Sequence, residues 1–360
     1  MNIVFVHSKR PQDQYQVLWR CKNIARAIEK TGLHHATFLE IPDFVANNEN
    51  SCKACSESDL IVIHRYCVDS VLKMALNWKN LNKKLVLDMD EAVNLIPGEM
   101  GSYQFWNNGD FSPYFFSPSN PNKKINPPPI KQLSWAATLV DAITVSSHRL
   151  AGDWEEYGRI WEIPDYINFD QYLTVRHKES DEIWIGMGGT PISPKAFKQS
   201  GLIDALVKVC QKNPQVHLFL GNAPSELIQE IDIPNQQKVT YSWLPPEDWV
   251  FHISELDIGL ALAYSEYDLR FSRNRVLEYL ATRIPWVASD HLPYRDLNSF
   301  GLLVENSKEA WYQGLMMTID SLPALKKKAE SNSYVYAVSQ DINENIYKIM
   351  KVYEFILDEK

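Results

Sequence analysis

Apolar positions fall in blocks of two lengths along the chain. Short, mainly apolar runs recur at Ile3–Val6, Thr37–Ile41, Leu60–Ile63, Leu85–Leu87, Ala142–Val145 and Trp161–Ile163. Between them lie longer stretches with helical spacing, such as Val17–Glu29, Val68–Leu76 and His148–Glu156. Unbroken apolar runs of strand length mark strands covered on both faces, and helices between them make parallel βαβ units. After a charged, turn-like piece, Arg176 to Asp181, the pattern restarts. Its second set of runs is Ile183–Gly186, Val216–Leu220, Val239–Tyr241, Ile258–Ala261, Trp286–Ala288 and Leu302–Val304. The expectation is an α/β chain of two parallel-sheet domains, 1–177 and 178–335, facing a central cleft, with a helical segment at 336–360. The helix predicted at about Asn343–Leu357 is expected to cross back onto the first domain. Open α/β sheets bind ligands beyond the carboxyl ends of their strands, which directs attention to the residues that follow each run.

One segment, 94–131, breaks the alternation. It is rich in Pro, Asn, Ser and aromatics, among them Tyr103, Phe105, Trp106, Phe111, Tyr114, Phe115 and Phe116. A loop of this length inside a compact domain is usually functional or disordered, and so many rings argue against disorder. It reads either as a binding flap that offers rings such as Trp106 for sugar stacking, or as a loop pinned down by its own aromatics.

Composition narrows the function classes. The 360 residues carry a formal charge of −9, which argues against a nucleic-acid partner. The basic runs Lys83-Lys84, Lys123-Lys124 and Lys326 to Lys328 read as solvated surface, leaving room at most for peripheral membrane contact. No run approaches the roughly 18 apolar residues of a membrane span, and Met1 to Val6 reads as a strand rather than a signal peptide. Five cysteines in a chain this long suggest a reducing, cytoplasmic setting. Cys52-Lys53-Ala54-Cys55 stands alone. A zinc site would need two more ligands, for which Cys67 or His64 could be proposed, and bystander thiols are the simpler reading. No metal or cofactor is expected.

The chemistry concentrates in 257–297. A strand ending near Ala263 is followed by a loop and then by a helix for which Ser272 is placed as N-cap, running to about Thr282. Arg270, Arg273 and Arg275 cluster around that helix start. Cations there oppose the helix macrodipole by about 0.3–1 kcal/mol each, whereas an anionic ligand reverses the sign. A diphosphate cradle is one reading; local neutralisation by Glu266, Asp268 and Glu278 is the other.

The stretch Glu278-Tyr279-Leu280-Ala281 through Pro285-Trp286-Val287-Ala288-Ser289, flanked by Asp257-Ile258-Gly259-Leu260-Ala261 and Pro293-Tyr294-Arg295, resembles the donor-binding segment of family 4 glycosyltransferases of the GT-B type, in a bacterial branch. Weaker matches fall in the same order along the first domain: Tyr15 and Arg20, His64-Arg65, Asp88-Met89-Asp90-Glu91, Asp141 to Ser147 and Ile163 to Ile167. The resemblance implies two Rossmann-like domains and a retaining transferase. Such an enzyme moves a sugar from a nucleotide-sugar donor to an acceptor, here unidentified (a glycan, a lipid-linked or a small molecule). It implies that Glu278 holds the donor ribose. Arg275 or Arg273, with Lys195 or Lys198 after the Gly186-Met187-Gly188-Gly189 turn, would neutralise the diphosphate. Arg270 and Ser272 complete the donor side. A residue of the first domain, His64, Asp90 or His7, would assist transfer, with His7, Tyr15 and Trp106 on the acceptor side. Three positions depart from the family pattern. Arg270 stands where an acid contacts the sugar, Arg283 where glycine is usual, and Asp165 where asparagine is usual.

Rival readings remain. Asp88-Met89-Asp90 is a DxD, the manganese signature of a single-domain transferase fold. Gly186-Met187-Gly188-Gly189-Thr190-Pro191 lacks the third glycine of a dinucleotide fingerprint, which disfavours a dehydrogenase. A nucleotide-sugar epimerase shares the two-domain plan. A non-catalytic binding or scaffold protein derived from a transferase would fit the departures at Arg270 and Arg283.

Overall fold

The computed structural model describes residues 1–359 except 111–123, 174–179, 190–192 and 224, and leaves aside the side chains at 225 and 226. The described chain forms two compact units. The first comprises Met1–Tyr166, Arg270–Ser272 and Ile342–Lys360; the second comprises Ile167–Leu269 and Arg273–Asp341.

All twelve expected strands form, each within two residues of its apolar run. In the first unit β1 (Asn2–His7), β2 (His35–Glu40), β3 (Leu60–His64), β4 (Lys84–Met89), β5 (Ala142–Val145) and β6 (Ile160–Glu162) pair in the order β2-β1-β3-β4-β5-β6. In the second, β7 (Ile183–Met187), β8 (Val216–Gly221), β9 (Lys238–Tyr241), β10 (Ile258–Ala261), β11 (Trp286–Ser289) and β12 (Leu302–Val304) pair as β12-β11-β10-β7-β8-β9. Every pairing is parallel. The central strands are buried along their length, as β3 and β10 show, which is why they read as unbroken apolar runs. The strand order reverses between β1 and β3 in one sheet and between β7 and β10 in the other. A ligand crevice opens beyond the carboxyl ends of the strands at such a switch point. His7 and His64 end the two strands at the first switch point, and Gly188-Gly189 follows β7 at the second.

The last helix, Ile342–Asp358, belongs to the first unit. Its buried residues Ile342, Ile346, Ile349, Met350, Tyr353 and Ile356 recur at helical spacing and join Ile3, Phe5, Ile24 and Ile28 in one core. Tyr353 meets Phe5 edge-on, with ring centroids 6.5 Å apart. The second unit has its own core, in which Ile185, Leu218, Ile258 and Val287 of the sheet pack with Leu202, Leu206 and Trp311 of its helices.

The segment 94–131 is not a loop throughout. Gly101–Asn108 is a helix, and another, Pro129–Leu139, begins before the segment ends. Phe111, Tyr114, Phe115 and Phe116 lie outside the described residues. No helix among the described residues is long and apolar enough to cross a membrane.

Candidate functional site

In the second unit, β7 runs into Gly188 and Gly189. A Cβ on Gly188 would lie 2.5 Å from the Trp249 indole, so only glycine lets the backbone pass there. Gly189 adopts φ +80°, a conformation that glycine takes without strain. Asn222, directly after β8, fixes this turn. Its amide donates to the Gly189 carbonyl (2.6 Å) and its side-chain oxygen accepts from the Leu244 amide (2.6 Å). The helix that follows, Pro194–Gln199, is capped by Ser193, whose hydroxyl accepts from the Ala196 amide. Lys195 lies exposed on its first turn. Lys198 is paired with Glu230 at 2.6 Å.

The glutamate helix spans Asn274–Ala281 with Arg273, not Ser272, at its N-cap. Ser272 instead donates its hydroxyl to Asp165 (2.5 Å) in the first unit. The three arginines around the helix start have separate fates. Arg270 forms a two-pronged pair with Asp153, through Nε at 2.8 Å and Nη2 at 3.0 Å. Arg273 donates to Gln340 (3.2 Å) and lies over the Tyr336 ring. Arg275 occupies the first turn of the helix and is buried, 7% exposed.

Glu278 is 1% exposed. One carboxylate oxygen accepts from the Tyr172 hydroxyl (2.9 Å), the other from the Trp249 indole N–H (2.9 Å). Hydrogen bonds to a charged group contribute about 1.5–3 kcal/mol each. Burial and the neighbouring carboxylate push the Tyr172 hydroxyl far above its ordinary pKa, so it donates. Glu278 therefore clamps Trp249, and Trp249 packs on Gly188. Trp249, Tyr172 and Asn222 were missed in the sequence. Gly221-Asn222 carried a faint turn signal; the other two carried none.

In the first unit, the strand ends hold a dense set of charges. His64 is fully buried, with Nε2 3.2 Å from an Asp90 oxygen that also accepts from Arg65 Nε. Burial opposes a charge on Asp90, but Arg65 and His64 outweigh it and hold its carboxyl well below the usual range. With Asp90 ionised, His64 Nε2 donates to it, and Nδ1 is buried with no hydrogen-bond partner among the described residues. Arg65, at φ +59°, also reaches Glu91 (2.9 Å), and Tyr66 donates to Asp13 (3.0 Å). His7 is buried, with Nδ1 2.9 Å from the Ser8 carbonyl, and burial lowers its pKa.

Tyr15 is buried beside Trp19. Trp106 is fully enclosed and stacks on Tyr66, with centroids 5.3 Å apart. Its ring is therefore core, and the expectation that it is offered to a sugar does not hold. Nor do the carboxylates of Asp88-Met89-Asp90 converge as a DxD would require. Asp88 takes two donors from Arg20 and one from Thr144, whereas Asp90 belongs to His64 and Arg65. Among the described residues no three His, Cys, Asp or Glu side chains are grouped to hold a metal. Cys52 and Cys55 lie on the helix Glu49–Glu57, and burial pushes the Cys55 thiol up to about 12.

The departures from the family pattern have local causes. Asp165 accepts from Arg20 at one oxygen (2.9 Å) and from Ser272 at the other, which an asparagine amide could not do. Arg283 takes the left-handed φ of +61° that suits glycine and lays its guanidinium over the Tyr334 ring at 4.2 Å. Arg270 is neutralised by Asp153.

No protein-family model matches the sequence, and no curated protein matches it. Solved structures share its fold along the whole chain. HepE of Anabaena, solved with UDP and glucose, has a TM-score of 0.63 and 15% identity, covering 98% of this chain and 99% of its own. Sucrose-phosphate synthase of Thermosynechococcus elongatus has a TM-score of 0.66 and 12% identity, covering 98% of both chains. UDP-GlcNAc 2-epimerase of Methanocaldococcus jannaschii follows at 0.53 and 11%, covering 98% of this chain and all of its own. The two parallel sheets are thus the GT-B arrangement seen in glycosyltransferases and in such epimerases.

Proposed function

We propose that the chain is a glycosyltransferase that moves a sugar from a nucleotide-sugar, UDP-sugars being the first donors to try, to an acceptor hydroxyl. The observation that carries this reading is the backbone after β7. A glycine turn at a topological switch point is held open by Asn222 and kept free of side chains by the Trp249 ring. Such a turn lets a diphosphate approach backbone N–H groups. UDP in a solved structure of the same fold supports the choice of base.

In this reading Arg275 and the exposed Lys195, with the amide groups of the glycine turn, neutralise the leaving diphosphate. Preorganised positive charge of this kind stabilises the transition state without a metal. Glu278 contributes by fixing Trp249 against Gly188, so its part is positioning. Arg270 and Ser272, engaged by Asp153 and Asp165, contribute no donor contact. In the first unit, Asp90 is a poor proton acceptor, because a carboxylate held well below its ordinary pKa is a weak base. It suits orienting His64 instead. Transfer with retention, the acceptor attacking on the face the diphosphate leaves, is part of the proposal.

Product analysis separates this from the epimerase that shares the fold. The protein is incubated with UDP-glucose or UDP-GlcNAc, with and without candidate acceptors, and the products are resolved by chromatography. A transferase releases UDP in step with glycosylated acceptor, and at most slowly with free sugar when no acceptor is present. A changed sugar still attached to UDP would overturn the proposal in favour of epimerisation.

A further inference from the structure

At the opposite end of the second sheet, where β11 and β12 begin, lies a cavity of about 230 Å³. Trp286, Phe300, Leu302, Met317 and Leu325 give it apolar walls, and Lys328 is the single charged side chain of its lining. Two features of its wall bear on a ligand. The wall at Gly301 is pared to backbone, because a Cβ there would lie 2.2 Å from the Trp286 indole. The indole itself is 1% exposed, and its N–H is buried with no acceptor among the described residues. A buried donor left unpaired costs about 1–3 kcal/mol and calls for a partner. The one buried hydroxyl of the lining, Thr318, is already spent on the Gly314 carbonyl (2.8 Å).

We propose that this cavity binds a free medium-chain carboxylate. The chain would lie among the apolar walls, and the head group would pair with Lys328 and supply the acceptor that the Trp286 N–H lacks. At about 30 Å³ for each water-sized group, the space suits a chain of roughly eight heavy atoms. One cation against otherwise uncharged walls favours a monoanion over a diphosphate, and apolar length over a second charge. The site stands at the amino ends of the strands, so it neither requires nor implies donor binding beyond their carboxyl ends.

The test is calorimetric titration of the full chain with octanoate, octanol and octylamine, each below its micelle-forming concentration. Octanoate is expected to bind saturably, one per chain, with octanol about tenfold weaker and octylamine undetected. Lys328→Ala, a change at an exposed position, should bring octanoate down to the level of octanol, a loss of about tenfold, or 1.4 kcal/mol. Trp286→Phe, which keeps a ring but removes the N–H, should weaken octanoate several-fold. Ser321→Trp, which fills the cavity, should abolish binding of both; should that variant fail to fold by circular dichroism, Lys328→Ala still decides. Absence of octanoate binding to the folded wild type, equal binding of octanoate and octylamine, or an unchanged Lys328→Ala would overturn the proposal.

Discussion

Arg20 is 1% exposed and spends its guanidinium wholly inside the first unit. Nε and Nη2 hold Asp88 at 3.1 and 2.6 Å, while Nη1 reaches Asp165 and the Ile163 carbonyl at 2.9 and 2.6 Å. Burial opposes its charge, yet Asp88 and Asp165 outweigh that and raise its pKa far above the ordinary arginine value. Removing one partner of such a set strands the others, which costs about 3–5 kcal/mol, more than the pair contributes relative to apolar replacements. Arg20→Met is therefore expected to lower the free energy of urea unfolding of the first unit by about 3–5 kcal/mol. A loss under about 1 kcal/mol would mean that water enters and screens the network. The sequence placed Arg20 and the acidic cluster at strand-related positions but could not pair them. The partners lie 68 and 145 residues away, and nothing in local spacing encodes such a contact. The same holds for Glu278, whose donors Trp249 and Tyr172 lie 29 and 106 residues off.

At the scale of elements, the central strands were legible because they are buried on both faces, so their runs are almost wholly apolar, while edge strands such as β2 are partly exposed and carry charges such as Glu40. The wide turn Leu18–Lys22, which carries Arg20 inward from the first helical stretch, left no mark on the periodicity. Ser272 had the right chemistry for a helix cap, but the helix starts one residue later, with Arg273 at the cap position, and the Ser272 hydroxyl donates to the buried Asp165 carboxylate. The segment 94–131 misled because its Pro and Asn content resembles a loop, whereas Phe105 and Trp106 pack against Tyr66 and make a helix worth forming. The last helix, expected at about Asn343–Leu357, spans Ile342–Asp358. Its attachment to the first unit gives a direct expectation. Tyr353→Ala, which empties the contact with Phe5, should destabilise the first unit by about 3–5 kcal/mol in a denaturant titration. Phe355→Ala, at an exposed position of the same helix, should cost under about 1 kcal/mol. Equal effects would contradict the packing described for this helix.

For the whole molecule, two parallel sheets with strand orders that each reverse once give two switch points, and both carry unusual chemistry. The first gathers His7, His64, Arg65 and Asp90 in a buried, largely neutralised network. The second offers backbone, a glycine turn braced by Asn222 and Trp249, with Arg275 on the first turn of a nearby helix. The resemblance seen in the sequence directed attention to the second region. It could not foresee that Glu278 faces inward or that Arg270 is spent on Asp153, since each depends on partners distant in the chain.

The glycine turn of the second unit is proposed to bind the diphosphate of a nucleotide. The most direct test is calorimetric titration with UDP, with GDP, ADP and dTDP as comparators, of the wild type, Arg275→Ala and Gly188→Ala. Thermal melting would verify that each variant is folded. The expected result is saturable UDP binding by the wild type, weakened about tenfold or more by Arg275→Ala and lost in Gly188→Ala, where the new methyl meets the Trp249 ring. Folded wild type that binds none of the four nucleotides, or variants that bind UDP as the wild type does, would contradict it.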